Sequence, residues 1–143
     1  MKILGIDLGL KRTGLAVSDQ SGEIVRRLSN LEAKNQLQAL TIISQLCVDL
    51  DIQIIVIGLP KKSTSNEALV KRIDSLYAIL PAFLESKNIF VKVYLFDESY
   101  TSKIAAKNLV YNNTPKNKRK KMLDSESACV LIEEFFYWYK NEK

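Results

Sequence analysis

Histidine is absent from this chain of 143 residues, and cysteine occurs only at positions 47 and 129. With no imidazole and no C-x-x-C pair, zinc chemistry and thiol–histidine catalysis are poor explanations of any activity it has. Cys47 and Cys129 both fall on apolar helical repeats, the usual place of reduced core thiols. No apolar run is long enough to span a bilayer, and Met1-Lys2 followed by a glycine-punctuated strand is not a signal peptide. A cytoplasmic protein is therefore expected. Internal repeats and low-complexity linkers are missing too. With 47% hydrophobic and 26% charged residues, disorder of the whole chain is excluded, and the length suits one domain over residues 1–143.

Acids are outnumbered by bases, 16 to 21, and the formal charge is +5. The excess gathers at Lys116, Lys118, Arg119, Lys120 and Lys121, within one short polar segment. Such a run is either a solvated loop or a contact for a polyanion such as nucleic acid.

The stretch Ile3-Leu4-Gly5-Ile6-Asp7-Leu8-Gly9 puts a carboxylate inside an apolar strand. Alternation sets Leu4, Ile6 and Leu8 on one face and Asp7 on the other with Gly5 and Gly9. A buried, ionised Asp requires compensation, from backbone N–H groups of a nearby turn or from a cation.

The polar turn at 9–14 leads to a second strand at 15–18, and Asp19-Gln20-Ser21-Gly22 to a third at 24–28, an antiparallel meander. From Asn35 the apolar residues Leu37, Leu40, Ile43, Leu46, Cys47 and Leu50 recur at helical spacing. Residues 52–57 form a continuous branched apolar run closed by Gly58-Leu59-Pro60, as in a strand covered on both faces. Leu69, Ile73, Leu76, Tyr77 and Leu80 mark a second helix, which Pro81 ends or kinks. Residues 90–96 give a fifth strand running into Asp97-Glu98, and a helix is expected from Thr101 or Ser102. A loop is expected over 112–121, and Asp124-Ser125-Glu126-Ser127 opens a last helix through Phe135, Phe136 and Tyr139. The order βββ-α-β-α-β-α-α implies an α/β fold with a mixed sheet. Packing in the core is the expected use of the 135–139 aromatics, with a dimer interface the alternative.

Three acids could converge in this architecture: Asp7, Glu98 and Asp124. Singly, Asp124 also reads as a helix N-cap and Glu98 as a surface acid. Asp97 and Glu98 point to opposite sides if the strand persists, so at most one of them faces Asp7. Two carboxylates about 4 Å apart repel by roughly 4 kcal/mol at an effective dielectric near 20, which a cation relieves. Oxygen ligands alone select hard ions, Mg²⁺ or Mn²⁺, which suit phosphodiester hydrolysis. Residues 58–64 lack the second glycine of a phosphate-binding loop, and Asn112-Asn113-Thr114 is a glycosylation pattern without a secretion signal.

The motifs together, G-I-D-L-G at 5–9, K-R-T-G-L-A-V-S-D at 11–19, G-L-P at 58–60, D-E-S at 97–99 with Thr101, and D-S-E-S-A at 124–128, resemble the YqgF/RuvX family. These are pre-16S rRNA nucleases also described as Holliday-junction-resolvase-like. The resemblance implies a ribonuclease H-like fold, with strands ordered 3-2-1-4-5 and Asp7 on the central one. It also implies Asp7, Glu98 and Asp124 as catalytic metal ligands, Arg12 as a phosphate contact, and trimming of the 5′ end of precursor 16S rRNA in the bacterial cytoplasm. Ser99 stands where the family usually has arginine, which removes a planar donor fork beside Glu98. The expected partner is precursor 16S rRNA or a pre-ribosomal particle, bound by a monomer or homodimer, with residues 116–121 as an electrostatic clamp. The alternatives are a nuclease for branched DNA, a non-catalytic nucleic-acid-binding module, and an actin-like phosphotransferase. The last needs two such domains.

Overall fold

The computed structural model describes residues 1–9, 12–59, 66–97 and 116–142, and of Asp97, residues 116–126 and Glu142 the backbone alone. The first strand, β1 (Ile3–Leu8), pairs antiparallel with β2 (Thr13–Ser18), which pairs antiparallel with the short β3 (Val25–Arg27). On its other side β1 pairs parallel with β4 (Ile54–Leu59), and β4 with β5 (Lys92–Asp97). The order is β3-β2-β1-β4-β5, as the resemblance implies, with Asp7 on the central strand. The third strand is shorter than expected, and β4 and β5 each begin two residues later than the apolar runs suggest.

Alternation along the strands builds two cores. Leu4, Ile6 and Leu8 join Leu15, Val17, Ile55 and Ile57 beneath two helices, α1 (Gln36–Asp49) and α2 (Glu67–Ser86). These helices contribute Leu40, Ile43 and Cys47, and Ile73, Leu76, Leu80 and Leu84. Each begins at an Asn whose side-chain oxygen accepts early helical N–H groups: Asn35 from Gln38, and Asn66 from Ala68 and Leu69. Pro81 does not end α2. It sits on the exposed side, while Leu80 and Leu84 anchor that turn in the core.

The opposite face of the sheet is covered by α3 (Lys116–Glu142). Ala128, Cys129, Leu131, Ile132 and Phe135 pack there on Ile3, Ala16, Ile54 and Val56. The Phe135 ring lies 5.0 Å from Tyr94 and 5.7 Å from Phe96, so core packing is the use of this aromatic. Two glycines permit the close fit. A β-carbon on Gly5 would lie 2.7 Å from Ile132 Cγ1, and one on Gly22, whose φ is 83°, would lie 2.7 Å from the Phe136 ring.

Two expectations are corrected here. Residues 116–121 are helical and do not form a loop, and Asp124 lies inside α3 and does not open it. Lys and Arg are good helix formers, and no Gly or Pro interrupts residues 116–142. The overlooked signal is Pro115 directly before this run, since proline favours a helix start. The helix expected from Thr101 or Ser102, and residues 112–115, lie outside the described residues.

Candidate functional site

Asp7 is half-buried on the face of β1 that meets α3. Directly across the antiparallel pair stands Gly14. The parallel register, carried one step beyond Ile6 and Ile57, sets Gly58 on the other side. Gly14 and Gly58 thus leave both neighbouring strands without side chains beside the carboxylate, whereas on its own strand the space at Gly5 is filled by Ile132 and Ala128 and that at Gly9 by the Arg12 carbonyl. Asp7 sits at the C-terminal edge of the parallel strands, where open α/β sheets bind their ligands.

Helix α3 brings position 124 towards the same end. Ala128 O and Ile132 lie against Gly5, while Phe136 covers Gly22 and Tyr139 lies near Met1. The helix therefore runs back towards the start of β1, and the turn preceding Ala128 lies towards Asp7. The distances agree: four helical residues rise about 6 Å, and two strand residues advance about 6.6 Å. Position 124 shares a helical row with 128 and 132. The Asp124 side chain and all of Glu98 lie outside the described residues. Among the described side chains, no three acids, cysteines or histidines converge.

Strand alternation also bears on the Asp97-Glu98 pair. Tyr94 and Phe96 pack on the α3 side and Val93 and Leu95 on the other, so the backbone register assigns position 97 to the α1/α2 side.

Arg12 is exposed in the turn after β1. That turn is closed by the Gly9 N–H donating to the Arg12 carbonyl at 2.8 Å, and a β-carbon on Gly9 would lie 2.6 Å from the same oxygen. From α2, Arg72 Nη1 donates to the Gly9 carbonyl at 3.4 Å. Lys34, Lys71 and Arg72, which the sequence does not single out, line a cavity together with Arg12. They come as a single lysine and one Lys-Arg pair far apart in the chain, so no charge run announces them. Lys116, Lys118, Arg119, Lys120 and Lys121 occupy the first turns of α3, with no acid in its first turn.

The two thiols are chemically quiet. Both are buried, and desolvation pushes the Cys47 pKa up to about 12. No helix among the described residues is long and apolar enough to cross a membrane.

A mixed sheet in the order 3-2-1-4-5 with helices on both faces is a ribonuclease H-like fold. The same fold is seen in Thermus thermophilus RuvC in complex with a Holliday junction substrate, with a TM-score of 0.60, 13% identity and coverage of 98% of this chain and 96% of that one. The fowlpox virus Holliday junction resolvase is similar as well, with a TM-score of 0.56, 14% identity and coverage of 98% and 99%. A family model described as "RuvX: Holliday junction resolvase" matches residues 1–137. The chain belongs to the RuvX family. It is 32% identical, over 93% of its length and 94% of the relative's, to a protein of Clostridium beijerinckii named "Putative pre-16S rRNA nuclease". A Staphylococcus carnosus protein with the same name is 31% identical, over 92% of each chain.

Proposed function

We propose that this chain is a metal-dependent endonuclease that trims the 5′ end of precursor 16S rRNA, with Asp7, Glu98 and Asp124 as its catalytic carboxylates. The observation that carries the reading is the position of Asp7, half-buried on the central strand and walled by glycines at the C-terminal edge of the parallel strands. The names of the Clostridium and Staphylococcus relatives supply the RNA substrate. The register that assigns position 97 to the far side supports Glu98 as the partner of Asp7. The helical row through 124 and 128 supports Asp124 as the third acid.

The donor set fits a hard divalent ion, since the three acids offer oxygen only and the chain has no histidine. Mg²⁺ or Mn²⁺ held by these acids supplies charge stabilisation at the phosphate and a more acidic attacking water. Arg12 binds a phosphate oxygen from the exposed turn, four residues beyond the end of β1. The basic first turns of α3 hold the backbone of the RNA. Positive side chains near a helix N-terminus oppose its dipole, and a bound polyanion relieves that strain. Hydrolysis adds water across one P–O bond, leaving a phosphate on one fragment and a hydroxyl on the other.

A second reading, cutting of four-way DNA junctions, is favoured by the family description. The two are separated by offering a 5′-extended 16S precursor fragment and a four-way junction side by side, with Mg²⁺, Mn²⁺ or chelator, to wild type and Asp7→Asn. Metal-dependent cutting of the RNA, lost in the variant, supports the processing role. Preferential cutting of the junction supports the second reading, and cutting of neither by the wild type overturns both.

A further inference from the structure

On the side of the sheet away from Asp7, the turn after β1, the start of α1 and the middle of α2 enclose a cavity of about 540 Å³. Among the described residues, four cationic ones line it, Arg12, Lys34, Lys71 and Arg72, and no acid does. All four are exposed. Asn35 and Gln36 bring the start of α1 to the wall, with no acid in that helix's first turn to offset the positive end of its dipole. The floor is apolar, built from Leu8, Leu31 and Leu76. A cationic wall over an apolar floor matches the two surfaces of a nucleic-acid strand, its phosphates and its bases.

The shape argues for a strand and against a single small anion. Arg12, Leu31 and Lys34 also line a second concavity of about 550 Å³, so the depression continues along the surface as a groove. Glu32 lines only that outer part. The inner part begins at Leu8, the residue next to Asp7, with its side chain on the opposite face of the sheet. A strand cut at Asp7 therefore reaches the groove by passing over the turn that carries Arg12.

We propose that this groove holds the phosphate backbone of the single-stranded RNA flanking the cleaved bond, with Lys34, Lys71 and Arg72 as its contacts. The proposal rests on the nuclease reading above, and extends it to residues outside the family motifs quoted from the sequence. Arg72 also braces the turn through Gly9, so Lys34 and Lys71 are the better residues to test.

The probe is a labelled single-stranded RNA oligonucleotide, and its binding to the full chain is followed by fluorescence anisotropy in EDTA over a range of salt concentrations. Each phosphate contact on a single strand contributes about 0.7 to the slope of log K against log salt. Lys34→Gln/Lys71→Gln is expected to flatten that slope by about 1.4, so that between 50 and 200 mM salt the double variant loses about sevenfold less affinity than wild type. Lys87→Gln/Lys92→Gln removes the same charge at the end of α2 and the start of β5, and is expected to leave the slope unchanged. An unflattened slope in the first variant, or equal flattening in both, overturns the groove. Cleavage by wild type in Mg²⁺ is measured in parallel. Cutting with an unaltered slope refutes the groove alone. No cutting with a slope that depends on Lys34 and Lys71 refutes the nuclease reading and leaves the groove as an RNA-binding site.

Discussion

Gly5→Ala tests the link between the packing of α3 and the site at Asp7. The added methyl carbon would lie 2.7 Å from Ile132 Cγ1 and 3.0 Å from both Ile132 Cδ1 and the Ala128 carbonyl oxygen. The side chain of Ile132 can turn away, at a cost of about 0.5–1.5 kcal/mol if it leaves its rotamer well. The carbonyl oxygen moves only with the helix, so α3 must lift by a few tenths of an ångström. Overpacking of this kind costs about 1–3 kcal/mol, while the stiffer unfolded chain returns about 0.4–1 kcal/mol. The net expectation is a loss of about 1–2 kcal/mol, or roughly 3–8 °C in Tm for a chain of this size.

Urea denaturation of Gly5→Ala, Ile132→Ala and the double variant checks the cause. Ile132→Ala alone is expected to cost about 2–5 kcal/mol through the cavity it leaves. The new methyl partly fills that cavity, so the double variant should be more stable than the sum of the two by about 0.5–3 kcal/mol. Strict additivity, or a Gly5→Ala protein as stable as wild type, refutes the packing argument. Cleavage measured well below the transition region then tests the link to function, because a lifted α3 carries position 124 away from Asp7. Undiminished cleavage by a destabilised Gly5→Ala protein would show that the seating of α3 does not govern the site.

Phe135→Ala removes a ring with no exposed surface that touches Tyr94, Phe96, Trp138 and Tyr139, and is expected to cost about 3–5 kcal/mol in urea denaturation; a cost below about 1 kcal/mol would contradict this packing. Asp19 accepts from the Ser21 hydroxyl and from the N–H groups of Ile24 and Gly22, which hold its carboxyl below the ordinary 3.8. Because the folded value is the lower one, its stabilisation is complete above 3.8 and is lost as pH falls through that lower value. Asp19→Asn should therefore narrow its stability gap to wild type as the pH drops below 3.8, and a gap independent of pH would refute the linkage.

The two cores were legible because each rests on a local period, whereas the strand order followed from the family resemblance and not from any period in the chain. Alternation in β1 already separated Leu4, Ile6 and Leu8 from Asp7, and the spacing of Leu40, Ile43 and Cys47 marked the buried side of α1. Two kinds of feature were not legible. The start of α3 was hidden because charged, helix-forming residues look like a solvated loop when no apolar period runs through them, and only Pro115 marked the boundary. The groove was hidden because Arg12, Lys34, Lys71 and Arg72 come from three separate parts of the chain and meet only through the fold. The glycine wall around Asp7 was half visible. Gly5 and Gly9 alternate with the apolar residues of β1, but Gly14 and Gly58 gain their meaning only from register.

The corrected start of α3 changes what Asp124→Ala should do. As an N-cap, Asp124 would stabilise the helix by about 1 kcal/mol, and its replacement by Ala would lose that amount. Inside a helix that begins at Lys116, Asp is among the poorer residues and Ala the best, so the same substitution should leave stability unchanged or raise it by up to about 0.7 kcal/mol. Under the proposed function, cleavage should nevertheless fall sharply, because one of three acids is lost. Stability held or raised while activity falls is the signature of a residue kept for chemistry at some cost to the fold. Urea denaturation and cleavage of the precursor fragment, measured on one preparation, decide between the roles. A loss near 1 kcal/mol would restore the capping role, and full activity would remove Asp124 from the site.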